Sequence, residues 1–256
     1  MSENYGGGAH EGAPRDTKMR FSEWLDNFWY HYKWHTVAVL FIILVVVICT
    51  VQACQREEYD ALVLYAGDHQ ISRTSQDGDV PEYQTLKSSL KNVIGDYDEN
   101  GEVNIGLEAL FWMSTDQIRE FEENKQKGEE LPYATISANN ETLYNMMMSN
   151  DYFVWFISRE LYEYYISMED GDERFLPLSG LVDDGREVEY YVDGDGVVHE
   201  NAIYLSSTEF SKLPAVDDLP EDTVIVYRQI LVGASRRDRE NHENAREIVE
   251  KIINYE

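Results

Sequence analysis

Residues 36–53 read TVAVLFIILVVVICTVQA, an apolar run without a charged side chain. At a rise of about 1.5 Å per residue, a helix of this length nearly crosses the ~30 Å hydrocarbon layer of a bilayer. A buried strand is excluded as an alternative because strands seldom run beyond about ten residues. We therefore predict one transmembrane helix over residues 35–54, with the lipid bilayer as its partner.

An aromatic segment, residues 18–34, precedes the apolar run. Tryptophan and tyrosine prefer the headgroup zone of a membrane, where the ring is half buried and its polar atom stays in water. Four apolar side chains follow the i, i+3, i+4, i+7 spacing of one helical face, which predicts a short interfacial helix before the chain turns inward. These side chains are Phe21, Trp24, Leu25 and Phe28.

Charges on the two sides of the apolar run predict its orientation. Four basic residues precede it, whereas Arg56 after it is followed by two glutamates. Because the positive side usually stays cytoplasmic, we expect the N-terminus inside the cell and residues 60–256 outside it. Residues 1–17 show no periodicity and are predicted to form a disordered tail. The four basic residues are Arg15, Lys18, Arg20 and Lys33.

Two alternatives compete with a retained anchor. A cleaved signal peptide usually has a short leading region and an apolar run of about 7–15 residues, whereas this run is longer and follows a long tail. Lipidation at Cys54 is the other alternative, because residues 51–54, VQAC, resemble a bacterial lipobox. The long tail argues against lipidation as well.

The negative charge of the chain lies beyond the membrane segment. The formal net charge is −28, of which residues 1–54 contribute −1, leaving −27 for the rest. Such a surface repels phosphate backbones, so nucleic-acid binding is excluded. The two cysteines, Cys49 and Cys54, lie in or beside the apolar run, so no disulfide braces the remainder.

Residues 60–256 alternate between strand and helix patterns and end in a hairpin pattern and an amphipathic helix. This order predicts an α/β fold, with a mainly parallel sheet, helices on both faces and an antiparallel hairpin addition. The strand patterns cover residues 61–66, 103–107, 134–137, 152–157, 187–192, 197–205 and 223–231, and the closing helix pattern covers residues 245–253.

Two stretches resemble known proteins. Residues 139–154 resemble the helix, short polar turn and buried strand of extracytoplasmic solute-binding proteins, and residues 61–95 fit the same layout. The aromatic run before the membrane segment resembles uncharacterised single-pass anchored proteins of Gram-positive anaerobes. The resemblance implies one lobe of a binding protein, because a two-lobed member of that class needs a longer chain.

Ligands of open α/β sheets bind beyond the carboxyl ends of the strands, which defines a candidate binding set. This set comprises Asp68, His69 and Arg73 after the first strand, Trp112 and Ser114 after the second, and Ser158 and Arg159 after the third. The Met146–Met148 run and the tyrosines at 162, 164 and 165 offer an adaptable surface, for which core packing is the alternative.

Residues 96–102, DYDENGE, contain the first half of a calcium-loop motif. Its twelfth position is Leu107, where a bidentate glutamate belongs. Aspartate, asparagine and glycine are also sufficient for a turn between a helix and a strand, so we interpret the segment as a turn and keep calcium as the alternative. The candidate ligands are Asp96, Asp98, Asn100 and Glu102.

The sequence contains no G-x-S-x-G, no H-E-x-x-H, no phosphate-binding glycine loop and no cysteine metal pair. We therefore expect a non-enzymatic, membrane-anchored extracytoplasmic binding or interaction module, accessory to a transporter or an envelope complex. One alternative is a cell-envelope hydrolase or transferase whose site is assembled around His69 or His199. The other is a structural scaffold that docks a partner through the closing helix.

Overall fold

The computed structural model describes residues 21–54, 58–74 and 80–256. The chain divides into two compact units, one ending at residue 57 and one spanning residues 58–256. The predicted tail, residues 1–17, and the side chain of Cys54, the candidate lipidation site, lie outside the described part.

The first unit contains one uninterrupted helix, α1 (Phe21–Cys54). Its stretch Phe28–Val51 has a mean hydropathy of 2.7 and is long and apolar enough to cross a membrane. The interfacial helix predicted ahead of the apolar run is not a separate element, because no glycine or proline interrupts these residues. The one hydroxyl near its end, on Thr50, donates to the Val46 carbonyl at 2.8 Å, as an apolar environment demands.

The second unit is an α/β fold in which strands and helices alternate along the first half of the chain. Residues 134–137, predicted as a strand, belong instead to a helix that follows Pro132, because Ile136, Leu143 and Met147 recur at helical spacing and are buried on one face. The elements are β1 (Ala61–Gly67), α2 (Glu82–Leu90), β2 (Ile105–Phe111), α3 (Thr115–Asn124), α4 (Tyr133–Met147), β3 (Val154–Ser158), α5 (Arg159–Ile166), β4 (Tyr190–Val192), β5 (Val198–Tyr204), β6 (Thr223–Tyr227) and α6 (Arg236–Ile253).

The six strands form one mixed sheet in the order β2-β1-β3-β6-β5-β4. β1 pairs in parallel with β2 and β3, whereas the other three pairings are antiparallel. The predicted parallel arrangement therefore holds only for β2, β1 and β3. Parallel pairing needs a long crossover connection, usually a helix. The chain instead reaches β6 from the β4–β5 hairpin through short 3₁₀ turns.

Alternate residues of β1 contribute to two separate cores, as the period of a strand requires. Val63 and Tyr65 belong to a cluster that includes side chains of α2 and α6. Leu64 and Ala66 belong to a second cluster, which includes side chains of α4 and α5. The apolar side chains of α6 are buried in the first cluster, so the scaffold hypothesis loses the exposed docking face that it needs.

Candidate functional site

A cavity of about 650 Å³ lies beyond the end of β2, bounded by residues of α3, α4 and α5. Its volume is within the usual range of small-molecule sites, about 300–1,000 Å³. We call it the α3–α4–α5 cavity. Its walls consist of four methionines (Met113, Met147, Met148, Met168), four aromatic residues (Trp112, Tyr144, Tyr164, Tyr165), three aliphatic residues (Ile118, Leu143, Leu161) and four polar residues (Ser114, Thr115, Asn140, Arg174).

Hydrogen bonds fix the floor of the cavity where β2 ends. The backbone N–H of Trp112 donates to the Gly67 carbonyl at 2.7 Å, which extends the β1–β2 ladder by one residue. Ser114 then starts α3 through a capping box with Gln117, in which each side chain bonds the backbone of the other residue. The Asn139 amide donates to the Phe111 carbonyl at 2.9 Å and ties α4 to the same strand end. The rigid strand end therefore positions two helices that bound the cavity.

Large apolar side chains are exposed at the cavity. Tyr144 is 65% exposed, Met148 58% and Tyr164 53%. Burying such surface is favourable by roughly 25 cal/mol per Å², and methionine adapts its shape to irregular apolar partners. The cavity is therefore suited to apolar ligands of more than one shape.

Arg174 is the one charged residue that lines the cavity among those that the structure describes. The Phe175–Arg228 bridge fixes its backbone, and the Gln229 N–H donates to the Arg174 carbonyl at 2.8 Å. Its Nε is buried and has no hydrogen-bond partner. A buried donor without an acceptor costs about 1–3 kcal/mol, so an acceptor carried by a ligand would stabilise this arginine.

The predicted residues Trp112 and Ser114 line the α3–α4–α5 cavity, whereas His69 and Arg73 line a second cavity of about 530 Å³. Arg73 lies 3.2 Å from the carboxylate of Glu108, and its guanidinium stacks over the Tyr83 ring at 5.0 Å. Four residues that the sequence predicted as one binding set therefore lie at two different cavities.

The two histidines of the enzyme hypothesis each face a carboxylate. Nε2 of His69 lies 2.5 Å from Glu82, and Nε2 of His199 lies 3.1 Å from Asp193. The Asp193 carboxylate also accepts the backbone N–H groups of Val197 and Asp195, and these bonds together with His199 lower its pKa. Asp193 is therefore a cap of the hairpin turn as well as a histidine partner.

The other three predicted binding residues have local partners. Asp68 accepts a hydrogen bond from the Gln117 amide at 3.2 Å. Ser158 is buried and caps α5, and Arg159 pairs with Glu160 at 2.8 Å. None of the three lines the α3–α4–α5 cavity.

Two carboxyl groups, those of Glu160 and Asp222, lie at the end of the sheet where the central strand β3 ends and its neighbour β6 begins. Burial raises the pKa of Asp222, and the charges of Glu160 and Asp68 raise it further, whereas Arg159 lowers it. Oε2 of Glu160 is buried and receives no hydrogen bond. Because two ionised carboxylates are both acceptors, the pair can form a hydrogen bond only when one of them is protonated.

The predicted calcium loop brings Asp96 and Asp98 together with Asp60, which precedes β1, with their carboxylate oxygens within 4.8 Å of one another. Glu102 is not part of this group, whereas the Asn100 amide donates to the Asp98 carboxylate at 2.7 Å. The Asp96 oxygens accept the backbone N–H groups of Asn100 and Gly101 at 3.1 and 2.7 Å. These bonds agree with the interpretation as a turn, and calcium binding stays a prediction.

Two residues of interest, Arg174 and Asp222, were not predicted from the sequence. Arg174 ends a short 3₁₀ turn and Asp222 directly precedes β6, but the residues that they meet come from other parts of the chain, so no local pattern indicated either. The Met146–Met148 run did indicate the α4 wall, although Met147 and Met148 line the cavity and Met146 does not.

Comparison of the chain with protein families, with curated proteins and with solved structures finds no match.

Proposed function

We propose that this protein is a single-pass, membrane-anchored binding module whose extracytoplasmic domain takes up an apolar ligand in the α3–α4–α5 cavity. The observation that carries the proposal is the composition of the cavity wall, in which eleven of fifteen residues are methionine, aromatic or aliphatic. The length and apolarity of Phe28–Val51 support the anchor, and the basic residues ahead of the helix support a cytoplasmic N-terminus.

Photolabelling tests this proposal directly. The full-length protein in lipid nanodiscs is exposed to a neutral long-chain alcohol that carries a diazirine, and labelled peptides are mapped by mass spectrometry. We expect labelling of α4 and α5, in addition to α1, whose apolar side chains contact the lipid in this proposal.

A matched pair of variants on α4 distinguishes the cavity from nonspecific labelling. Asn140→Trp fills the cavity from an exposed position, whereas Asn145→Trp places the same ring on an exposed residue of the same helix that does not line it. The first variant should lose most of the α4 and α5 labelling and the second should retain it. Equal labelling in both variants, or labelling confined to α1, contradicts the proposal.

The orientation in the membrane has its own test. A protease added to intact cells should remove residues 58–256 if this unit is extracytoplasmic, and should leave it intact if the unit faces the cytoplasm.

The proposed role as an accessory to a transporter or an envelope complex rests on the anchor and the binding cavity together. A module held at the membrane can transfer its ligand over a short distance. Affinity capture of the full-length protein from solubilised membranes should recover a transporter permease or a defined envelope complex, and should recover less of it with Asn140→Trp when transfer depends on the ligand. Recovery of neither kind of partner counts against this role.

A cell-envelope hydrolase or transferase is the second candidate, and the Glu160–Asp222 pair favours it. A carboxyl group with a raised pKa is suited to general acid catalysis. Hydrolysis of p-nitrophenyl glycosides and esters by the full-length protein, with Asp222→Asn as the comparison, tests this candidate. Turnover that does not exceed that of Asp222→Asn argues against it.

A further inference from the structure

We infer that the ligand of the α3–α4–α5 cavity is a single-chain amphiphile with a carboxylate head group, and that Arg174 binds this head group. The inference rests on the proposed function, because it specifies the ligand of the same cavity.

The charge around the cavity carries the first step. Residues beyond position 54 have a net charge of −27, yet no aspartate or glutamate is found among the described residues that line this cavity. Arg174 lines it, and within the described part of the chain no carboxylate forms an ion pair with it. A ligand with one negative charge meets an attractive group here, whereas most of this unit would repel it.

A second arginine strengthens the same field. Arg228 is 1% exposed and donates to the backbone carbonyls of Met146 and Ser149 rather than to a carboxylate. The charges of Arg174 and Arg228 both act on the buried phenol of Tyr165, which lines the cavity. Both guanidinium groups therefore lie near one wall, where Arg174 favours an anion and the charge of Asp151 offsets part of that of Arg228.

The hydrogen-bond donors of Arg174 indicate which anionic head group the ligand carries. A guanidinium presents parallel N–H groups that match the two oxygens of a carboxylate. Phosphate groups are usually held by clusters of arginines, and among the described residues only one arginine lines this cavity. The methionine and aromatic walls accommodate an alkyl chain, so a single-chain carboxylic acid satisfies both the charge and the apolar surface.

Competition against the diazirine alcohol tests the inference with the full-length protein in nanodiscs. The competitors are dodecanoate, methyl dodecanoate and dodecyl phosphate, and the readout is the labelling of α4 and α5. With the wild-type protein, dodecanoate should compete at about tenfold lower concentration than its methyl ester, as one charge-assisted hydrogen-bonded pair implies. Dodecyl phosphate should show no advantage over dodecanoate.

Arginine variants locate the effect. Arg174→Gln should remove the preference for dodecanoate and leave competition by the ester unchanged, and Arg174→Lys should retain part of the preference. Arg119→Gln, an exposed arginine of α3 that pairs with Asp116, should behave as the wild type.

The outcomes separate the two proposals. Equal competition by acid and ester in the wild type overturns the carboxylate inference and leaves apolar binding intact. A preference that survives in Arg174→Gln overturns the role of Arg174, and stronger competition by the phosphate overturns the head group. Failure of both acid and ester to compete, in a protein whose thermal unfolding is normal, overturns the proposed function together with the inference.

Discussion

The buried guanidinium of Arg228 donates a hydrogen bond to the backbone carbonyl of Met146. A second bond reaches the carbonyl of Ser149, so one side chain from the end of β6 secures the turn between α4 and β3. Burial lowers the pKa of Arg228 to about 10, and the guanidinium lies over the Phe153 and Trp155 rings. The arginine thus fixes the end of the helix that forms one wall of the cavity.

Replacing Arg228 tests this link. Arg228→Met keeps an unbranched apolar stem but leaves two carbonyls without donors, so we expect a loss of roughly 2–4 kcal/mol of unfolding free energy. The control is Arg236→Met, at an arginine whose side chain is 91% exposed. Its unfolding free energy should lie within about 0.5 kcal/mol of the wild-type value. Thermal or denaturant unfolding of both variants checks the prediction, and equal stabilities would contradict it.

Asp60 has a comparable role at the start of β1. Its carboxylate is 5% exposed and accepts the backbone N–H groups of Tyr97, Asp98 and Asn104, at 2.7, 3.2 and 2.7 Å. Asp60→Ala removes all three acceptor contacts, and we expect a loss of roughly 2–4 kcal/mol because the bonds are charge-assisted.

The control for Asp60→Ala is Asp98→Ala, which removes an exposed carboxylate of the same loop that accepts hydrogen bonds from Asn100. In denaturant unfolding, Asp98→Ala should lose less than half as much unfolding free energy as Asp60→Ala. A larger effect from Asp98→Ala would indicate that the loop, and not the buried Asp60, holds this region together.

The sequence was informative where a pattern is local. The uninterrupted apolar run predicted a helix that the structure contains as part of α1, and Trp112 and Ser114, predicted to follow the second strand, do follow β2. The direction of β6 was not predictable in this way, because strand periodicity is the same in parallel and antiparallel pairs. The position of Arg174 at the cavity depends on the backbone bridge between its neighbour Phe175 and Arg228. These residues are far apart in the sequence, so no local pattern predicts the contact.

The position of Arg174 also depends on close packing around Gly171. A Cβ at this position would lie 2.3 Å from the Tyr165 carbonyl oxygen, which is rigid backbone. The Gly171 carbonyl also accepts the N–H of Arg174 at 3.1 Å, so any shift of Gly171 moves the arginine. Gly171→Ala should therefore cost about 1–3 kcal/mol of stability and reduce the preference of the cavity for dodecanoate over its methyl ester.

Gly180→Ala is the matched control for this substitution. Open space surrounds its added Cβ, and both stability and ligand preference should stay near those of the wild type. Unfolding measurements and the labelling competition together check the pair. Unchanged ligand preference in a destabilised Gly171→Ala would separate the packing of Gly171 from the position of Arg174.

The Glu160–Asp222 pair makes a prediction about pH. The folded protein raises the pKa of Asp222 through burial and through the charge of Glu160, whereas the unfolded chain has an aspartate pKa of about 3.9. Between these two values the folded state binds more protons than the unfolded state. Stability contributed by this group is therefore greatest at low pH and falls as pH rises through the raised pKa.

Asp222→Asn removes the charge that Glu160 repels, so the variant should be more stable than the wild type at pH 7. The difference should shrink as pH falls, because the raised pKa lets Asp222 become protonated and neutral in the wild type at a higher pH than an ordinary aspartate. Asp218→Asn, at an exposed position nearby in the chain, controls for the general effect of removing one negative charge. Melting temperatures of the three proteins from pH 4 to 8 decide the matter. A variant less stable than the wild type at pH 7 would mean that Asp222 has a stabilising partner that outweighs its repulsion by Glu160, and would contradict the prediction.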